Sequence, residues 1–600
     1  MKETSTKQVV FEDENFNITD FLEKKIKKNP GYAIYSRKMR GQWVDVTIKK
    51  FQADVKIIAK SLLAQGLKPG DRVAIMSPTR YEWSLVDFAM WYAGLVSVPI
   101  FETSSRPQIE WILEDSGAKA AFVDSLERAQ LVTDAARKVG QPLEHLWQFE
   151  EGGIGTNYEN LLSTSDISDE ELEQARSSAT MNSVATLVYT SGTTGKSKGC
   201  ELTHGNFVDM AQNTPPIVQE IVAGGTSRVL LFLPLAHALA RAIQFIALAA
   251  DATLAHSKMS NIVEDFQSFK PNWFLAVPRV MEKFYASALN SAENSGSGKI
   301  FKRGSDISIK YAEQEEKGTL TFSTKAQKFV FDKIIYAKIR KNLGGHARWV
   351  VCGGSALNPD LTKFFAGAGI RIIEGYGLTE TTGPITVNTP SHTLLGSVGR
   401  PLPGVTVRIA DDGEILVKGP SIFKAYWKNP EASKLAFDED GWFKTGDLGQ
   451  LEDGFLMITG RKKDVLVTAG GKNVYPTPME EGIKASQIVD QVIVVGENKP
   501  FVSAMIILDR EQLPKWAKTQ GLDSNMTVDE AVENPQVIAE VQGYVDKVNN
   551  NVSRAESIRK FKIVPRSLDI ESGHMTPTLK LKRAAVIKDF NDVVQQMYSK

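Results

Sequence analysis

An α/β architecture with largely parallel sheets is predicted for this chain of 600 residues by three observations. Short apolar runs alternate with longer stretches of helical periodicity from Arg72 to Ile373, the pattern of sheets with helical crossovers. Glycine-containing turns follow several of those runs, where such sheets hold their ligands. The texture then changes twice. From Leu394 it becomes short strands with Gly/Pro turns such as Arg400-Pro401-Leu402-Pro403-Gly404, a β-rich subdomain. After Gly460-Arg461 it turns charged and then builds a second compact unit.

Taken in order, Arg72–Met76 follows a Lys-Pro-Gly-Asp turn and reads as a strand, and Trp83–Ala93 as a helix ending at Gly94. Ala120–Asp124, Ala185–Tyr189, Val229–Leu233, Trp273–Val277, Arg348–Cys352 and Ile370–Ile373 are further strands. Ser287–Thr324 is rich in Ser, Gly, Lys and Glu and reads as an exposed insertion with some helix. Strands are expected near Gln491–Val495 and Val502–Leu508. The length exceeds one core, and the expected division falls at 460, into 1–460 and 461–600.

Composition narrows the function. The chain is 42% hydrophobic and 24% charged with a formal net charge of zero, so no overall field recruits nucleic acid. Cys200 and Cys352 are its two cysteines, too few for a disulfide framework or a zinc cluster and suited to a reducing cytoplasm. Met1 to Asn17 is polar and acidic without an apolar signal core. The longest apolar stretches, Trp83–Ile100 and Ala236–Ala250, are interrupted by Asp87 and Arg241. Neither reads as a spanning helix; buried core is the reading, with peripheral contact at the inner face of a membrane left open. The residues carry no reading of oligomeric state.

The most specific run is Thr190-Ser191-Gly192-Thr193-Thr194-Gly195-Lys196, continuing Ser197-Lys198-Gly199, directly after a strand. Glycines let backbone N–H groups converge, and the hydroxyls and ammonium groups add donors, which is chemistry for nucleotide phosphates. A Walker A loop would need glycine at 190, where Thr190 stands. Tyr376-Gly377-Leu378-Thr379-Glu380 offers an aromatic face, a phosphate donor and a carboxylate for magnesium, though alone it also suits a capped helix start. Phe443-Lys444-Thr445-Gly446-Asp447 ends in a carboxylate suited to ribose hydroxyls, or is a surface turn. Gly460-Arg461-Lys462-Lys463-Asp464 alone is a solvated charge run.

Together and in this order, these segments resemble the adenylate-forming superfamily of acyl-CoA synthetases, luciferases and peptide-synthetase adenylation domains. Leu233-Pro234-Leu235-Ala236-His237, Val277–Lys283, Phe331–Lys333 through Leu343–Gly345, and Thr576–Arg583 are similar to long-chain acyl-CoA synthetases. The resemblance runs from about residue 17 to 590. It implies a large N-terminal domain of layered α/β subdomains plus the β-rich part, and a small mobile C-terminal α+β domain. It implies ATP-dependent activation of long-chain fatty acids to acyl-AMP and transfer to CoA, with Mg2+. The alternatives are a fatty-acyl-AMP ligase loading a carrier protein, and a synthetase for shorter or aryl acids.

Residue by residue, the resemblance puts Ser191, Thr193, Thr194 and Lys196 over the ATP phosphates and Gly353, Gly354, Ser355, Glu374, Gly375 and Tyr376 around adenine. It puts Thr379 at the α-phosphate, Thr190 and Glu380 at magnesium, and Asp447 and Arg461 at the ribose. Lys463 matches the hinge, and Gly470-Gly471-Lys472-Asn473 the loop lining the pantetheine channel. His237 matches a position beside the acyl and thioester channel, although a lone histidine on an apolar segment is usually structural. Lys580 matches the charge-neutralising lysine; Leu579 stands where glycine is common, which keeps Lys582 as a competitor. Ala240 replaces the glutamate often found before Arg241, leaving that arginine's partner in doubt. Ala238, Ala240, Ala242 and Ala247 suit either tight helix packing or room for an alkyl tunnel.

Overall fold

In a computed structural model that describes residues 2–163, 165–190, 196–222, 227–576 and 580–599, the expected strands assemble into two large sheets. Arg72–Met76 pairs in parallel with Val96–Ile100 and Ala120–Val123 inside a seven-stranded sheet. Alternate residues of that strand enter two different cores: Val73 and Ile75 one, Ala74 and Met76 the other. Both faces are therefore covered, which is why the strand reads as a continuous apolar run rather than an alternating one. Val184–Thr190 lies beyond Val96–Ile100, with Lys198–Thr203 antiparallel at its edge.

The second sheet has nine strands. Arg371–Leu378, Trp349–Cys352, Trp273–Ala276, Arg228–Leu231 and Thr253–His256 run parallel through its centre. Gly383–Val387 returns antiparallel beside Arg371–Leu378. At Gly377 an added Cβ would lie 1.8 Å from the Gly383 carbonyl oxygen, so only glycine permits that approach. From Thr406 the β-rich part gives four strands to a five-stranded antiparallel sheet, with the N-terminal strand Lys2–Ser5 at one edge and the hairpin Phe443–Glu452 and Phe455–Arg461 at the other. One hydrophobic core joins all three sheets, with Val73, Trp273 and Val407 in the same cluster.

The smaller C-terminal part has its own cores. Val489–Val495 and Val502–Leu508 pair antiparallel, and Ile558–Val564 adds a parallel third strand. The helices Pro476–Lys484 and Pro535–Asn549 cover one face, and Arg583–Asp589 with Asn591–Tyr598 covers the other. No helix among the described residues is long and apolar enough to cross a membrane.

Two readings change. Ser287–Thr324 is not an exposed insertion: it holds the helix Gly298–Glu316, whose Phe301, Ser305, Ser308 and Ala312 are buried. None of that helix's charged residues is buried, so its charge belongs to the side away from the core. The charges interrupting the two apolar stretches are also not separate features. Arg241, on the helix Ala238–Ala249, meets Asp87, on the helix Tyr81–Tyr92, at 2.6 Å, and both side chains are wholly buried. The guanidinium also donates to Ser97 Oγ at 3.0 Å and Thr186 Oγ1 at 2.7 Å. Burial pushes the Asp87 carboxyl up, and Arg241 opposes that rise. Arg241 thus has a carboxylate partner without the missing glutamate.

Removing one member of a buried pair strands the other charge. Arg241→Met is expected to lose about 3–5 kcal/mol of stability, read as a lowered thermal or urea midpoint. Asp87→Leu/Arg241→Met is expected to regain most of that; losses that simply add would contradict the pairing.

Candidate active site

Where the strands of the nine-stranded sheet end, their loops surround a cavity of about 290 Å³. Gly353 and Gly354 follow the strand Trp349–Cys352, and Gly375 to Glu380 lie at the end of Arg371–Leu378 and just past it. Gly354 has φ +93°, a backbone conformation natural to glycine. Thr190, the last residue of its strand, closes another side. Arg461, at the end of the β-rich hairpin, and Lys463 and Lys580 beyond it complete the wall.

Separate hydrogen-bonded sets fix the polar side chains in and around this end. The Tyr376 hydroxyl donates to Asp447 Oδ2 at 2.7 Å, and Arg461 Nε lies 3.3 Å from Asp447 Oδ1. Asp447 and Arg461 face each other directly across the hairpin, so strand register sets their pairing. Burial raises both the Tyr376 hydroxyl and the Asp447 carboxyl, and Arg461 opposes the latter rise. The Tyr426 hydroxyl donates to Glu380 Oε1 at 2.8 Å, which orients that carboxylate. Burial pushes Glu374 up to about 7; its Oε1 accepts from Thr362 Oγ1 at 3.2 Å.

Lys580 lowers to about 8 through burial and the neighbouring Arg461 guanidinium, with Asp447 and Glu380 opposing. Its backbone N–H donates to Thr576 Oγ1 at 3.0 Å and its carbonyl accepts from Thr576 N–H at 2.8 Å. Three residues on, the Arg583 guanidinium grips both oxygens of Glu480 at 2.5 Å and the Val494 carbonyl at 2.8 Å. The segment carrying Lys580 is thereby anchored to the smaller domain's sheet. Lys582 is absent from the cavity wall; it stands at the cap position of the helix Arg583–Asp589. His237 Nδ1 accepts from Leu239 N–H at 3.1 Å, capping the helix Ala238–Ala249. Burial, and secondarily Lys580, lowers its pKa to about 4, so the ring is neutral near pH 7.

The cavity's other limb is apolar. Leu239, Ile243 and Ile246 line it from one face of that helix, opposed by Val218, Ile221 and Val387. Helical spacing of i, i+4 and i+7 is the sequence signal for this stripe. Ala238, Ala240, Ala242 and Ala247 are buried and off the wall. An added Cβ at Gly383 would lie 2.9 Å from Ala242 Cβ, so small residues here draw helix and strand together. The room lies along the stripe of Leu239, Ile243 and Ile246 that these alanines flank.

Not every expected residue joins the cavity. Ser191 to Gly195 lie outside the described residues. The Lys196 ammonium sits 3.9 Å over the Trp111 ring, and Ser355 is exposed; neither is on the wall. Gly471 and Lys472 form a surface turn, with Lys472 3.5 Å from Glu556. Contacts between the two parts of the chain were not read from sequence. Arg279 reaches Asp490 at 2.6 Å and Asp509 at 3.3 Å, and Asn290 Nδ2 donates to Gln512 Oε1 at 2.8 Å.

Comparison with known proteins agrees with this architecture. Residues 22–427 match the family described as AMP-binding enzyme, and residues 463–600 its C-terminal domain. A long-chain-fatty-acid–CoA ligase, FadD15 of Mycobacterium bovis, is 40% identical over 604 residues, covering all of both chains. Long-chain-fatty-acid–CoA ligase 6 of Mus musculus is 27% identical over 93% of this chain and 82% of its own. In fold, the chain matches the adenylation domain of a carboxylate reductase from Mycobacterium chelonae. That match has a TM-score of 0.75 at 20% identity and covers 98% of this chain and 92% of the other. With both domains matched and a relative of this identity aligned end to end, the chain belongs to the AMP-binding, adenylate-forming enzyme family, among its long-chain acyl-CoA synthetases.

Proposed function

We propose that this chain joins a long-chain fatty acid to the α-phosphate of ATP, releasing pyrophosphate, and then passes the acyl group from AMP to the thiol of CoA. One observation carries the reading: a single cavity has a cationic, glycine-walled end at Arg461, Lys463 and Lys580 and an apolar limb along Leu239, Ile243 and Ile246. A nucleotide suits the first and an alkyl chain the second. Each buried methylene contributes about 0.8 kcal/mol.

In the first step a carboxylate oxygen bonds to the α-phosphorus and the α–β phosphoanhydride breaks. Both reactants are anionic, so the protein's task is positioning and charge neutralisation. Lys580 would sit between the carboxylate and the α-phosphate, with Thr379 donating to that phosphate and Thr190, continuing into Ser191–Lys196, toward the β- and γ-phosphates. Gly353, Gly354, Ser355, Glu374, Gly375 and Tyr376 would enclose adenine, and Asp447 and Arg461 would hold the ribose. The oxygen donors fit magnesium: Glu380 and Thr190 both line the cavity, and Tyr426 holds Oε1 of Glu380 while Oε2 remains for a cation. When bound there with the phosphates, magnesium supplies neutralisation of their charge. His237, neutral at working pH, adds no further positive charge to that end.

In the second step the CoA sulfur bonds to the acyl carbon, AMP departs, and the thiol proton is released. Lys580 fills the approach in the pose seen, while Gly471 and Lys472 stay outside. Rotation of the chain beyond Lys463 about that residue would exchange them, and the contacts of Arg279 with Asp490 and Asp509 would break on the way. Peripheral membrane contact belongs to this reading, because the acid and the thioester partition into bilayers.

The test separates the half-reactions. With palmitate, magnesium and ATP the protein is expected to form palmitoyl-AMP and pyrophosphate, and with CoA palmitoyl-CoA; acetate should give neither. Lys580→Ala is expected to lose about two to three decades in adenylation yet still pass preformed palmitoyl-AMP to CoA. Lys463→Pro should spare adenylation and slow thioester formation. Equal loss of both steps in both variants would contradict the two-pose account.

The ammonium form of Lys580 is the one that neutralises charge. Since its pKa is lowered to about 8, kcat/KM for adenylation is expected to fall as pH rises through about 8. Lys580→Arg should move that descending limb upward, because a guanidinium stays charged. A limb that stays in place would assign it to another group.

A further inference from the structure

The segment Phe322–Asn342 is apolar on two opposite sides. Phe331, Ile335, Tyr336 and Ile339 point into the core beneath it. On the outside, Phe322 is 87% exposed, Phe329 62%, Val330 53% and Ile334 44%. Phe322 and Phe329, seven residues apart, share one line of the helix, and Val330 and Ile334, four apart, share a neighbouring line about 100° round it. A π-helical turn at Asp332–Tyr336 lies within the segment. Single exposed hydrophobic residues need no explanation, but four on one exposed side of a segment, including two phenylalanines, mark an interaction surface.

Charge says what covers it. Between 322 and 342 the sequence has Lys325, Lys328, Lys333, Lys338, Lys341 and Arg340, against Asp332 as its one acid. Arg340 neutralises that acid at 2.8 Å. Lys325, Lys333, Lys338 and Lys341 are exposed, and the Lys333 ammonium lies 4.7 Å over the Phe329 ring. The adjoining start of the helix Gly298–Glu316 adds exposed Lys299, Ile300, Lys302 and Arg303. The acids Glu313, Glu315 and Glu316 at the end of that helix adjoin the Phe322 end, where Thr321 N–H donates to Gln314 Oε1 at 3.4 Å; Glu313 is held by Lys363 at 2.7 Å and Glu315 lies 4.0 Å from Arg371, while Lys302 lies 3.8 Å from Glu293. In a chain of zero net charge this concentration is local. Protruding aromatic and aliphatic side chains flanked by lysines suit an interface with hydrocarbon on one side and anionic headgroups around it.

We propose that the outer face of Phe322–Asn342 is a docking surface for a phospholipid bilayer carrying anionic headgroups, with Phe322 and Phe329 entering the acyl boundary and the lysines resting on the phosphates. The surface would hold the enzyme where its acids partition. The proposal extends the functional reading above, but vesicle binding requires no turnover, so either can fail alone.

The full-length protein is to be sedimented with vesicles of phosphatidylcholine alone and of phosphatidylcholine with phosphatidylglycerol, at low and at physiological salt. It is expected to pellet with the anionic vesicles and to be partly released by salt. Phe322→Ser/Phe329→Ser should weaken binding roughly tenfold or more, and each charge reversal at Lys325 or Lys333 roughly fivefold or more. Palmitoyl-CoA formation from albumin-delivered palmitate should be unchanged in all of them, because none of these residues lines the cavity. Absence of binding at low salt, or variants that bind like the parent, would overturn the proposal. Self-association in velocity sedimentation that the phenylalanine pair abolishes would also overturn it, by assigning the face to a second copy of this chain.

Discussion

The ion pair between Arg241 and Asp87 is the contact on which the rest of the large domain depends. It joins a helix packed on the seven-stranded sheet to the helix Ala238–Ala249, with Ser97 and Thr186 on strands of that same sheet accepting further hydrogen bonds from the guanidinium. A charged pair without water is costly unless its geometry is satisfied, so the two helices meet in one register. That register has a consequence at the opposite face. Once Arg241 is pinned, Leu239, Ile243 and Ile246 must point into the cavity, and Ala242 packs against Gly383.

The polar end obeys a different constraint, the placement of positive charge in partly desolvated surroundings. Arg461, Lys463 and Lys580 converge there, and desolvation by burial lowers both lysines. Asp447 and Glu380 supply part of the compensation, each already held by a tyrosine hydroxyl. An excess of cationic character waiting for a polyanion is what nucleotide chemistry asks of a site whose donors are fixed before the reaction starts. Two of these cations lie beyond the hairpin and Lys580 is anchored to the smaller domain, so charge placement and domain pose are one variable.

Much of this was legible in the residues. The strands Arg72–Met76, Ala120–Val123 and Trp273–Ala276 read directly, because burial on both faces leaves unbroken apolar runs. Tyr376, Thr379 and Glu380 were found through a short motif whose geometry is local, and all line the cavity. What escaped notice was long-range. Asp87 and Arg241 are 154 positions apart and looked like two interruptions, since nothing in either segment names the other. Tyr426 as the partner of Glu380, and Arg279 as the partner of Asp490, have no local signal either. Ser287–Thr324 misled for another reason: composition averages over a helix, while burial of Phe301 and Ser308 concerns one side. Lys580 and Lys582 differ in placement because a helix begins just past the second of them.

The account turns on an acyl carboxylate bonding through its own oxygen to the α-phosphorus of ATP. Palmitate carrying heavy oxygen in its carboxyl group, turned over with ATP and CoA, tests this directly by mass spectrometry of the products. The account requires one labelled oxygen in the AMP formed and none in pyrophosphate. Label in pyrophosphate or inorganic phosphate, or AMP free of label, would contradict it.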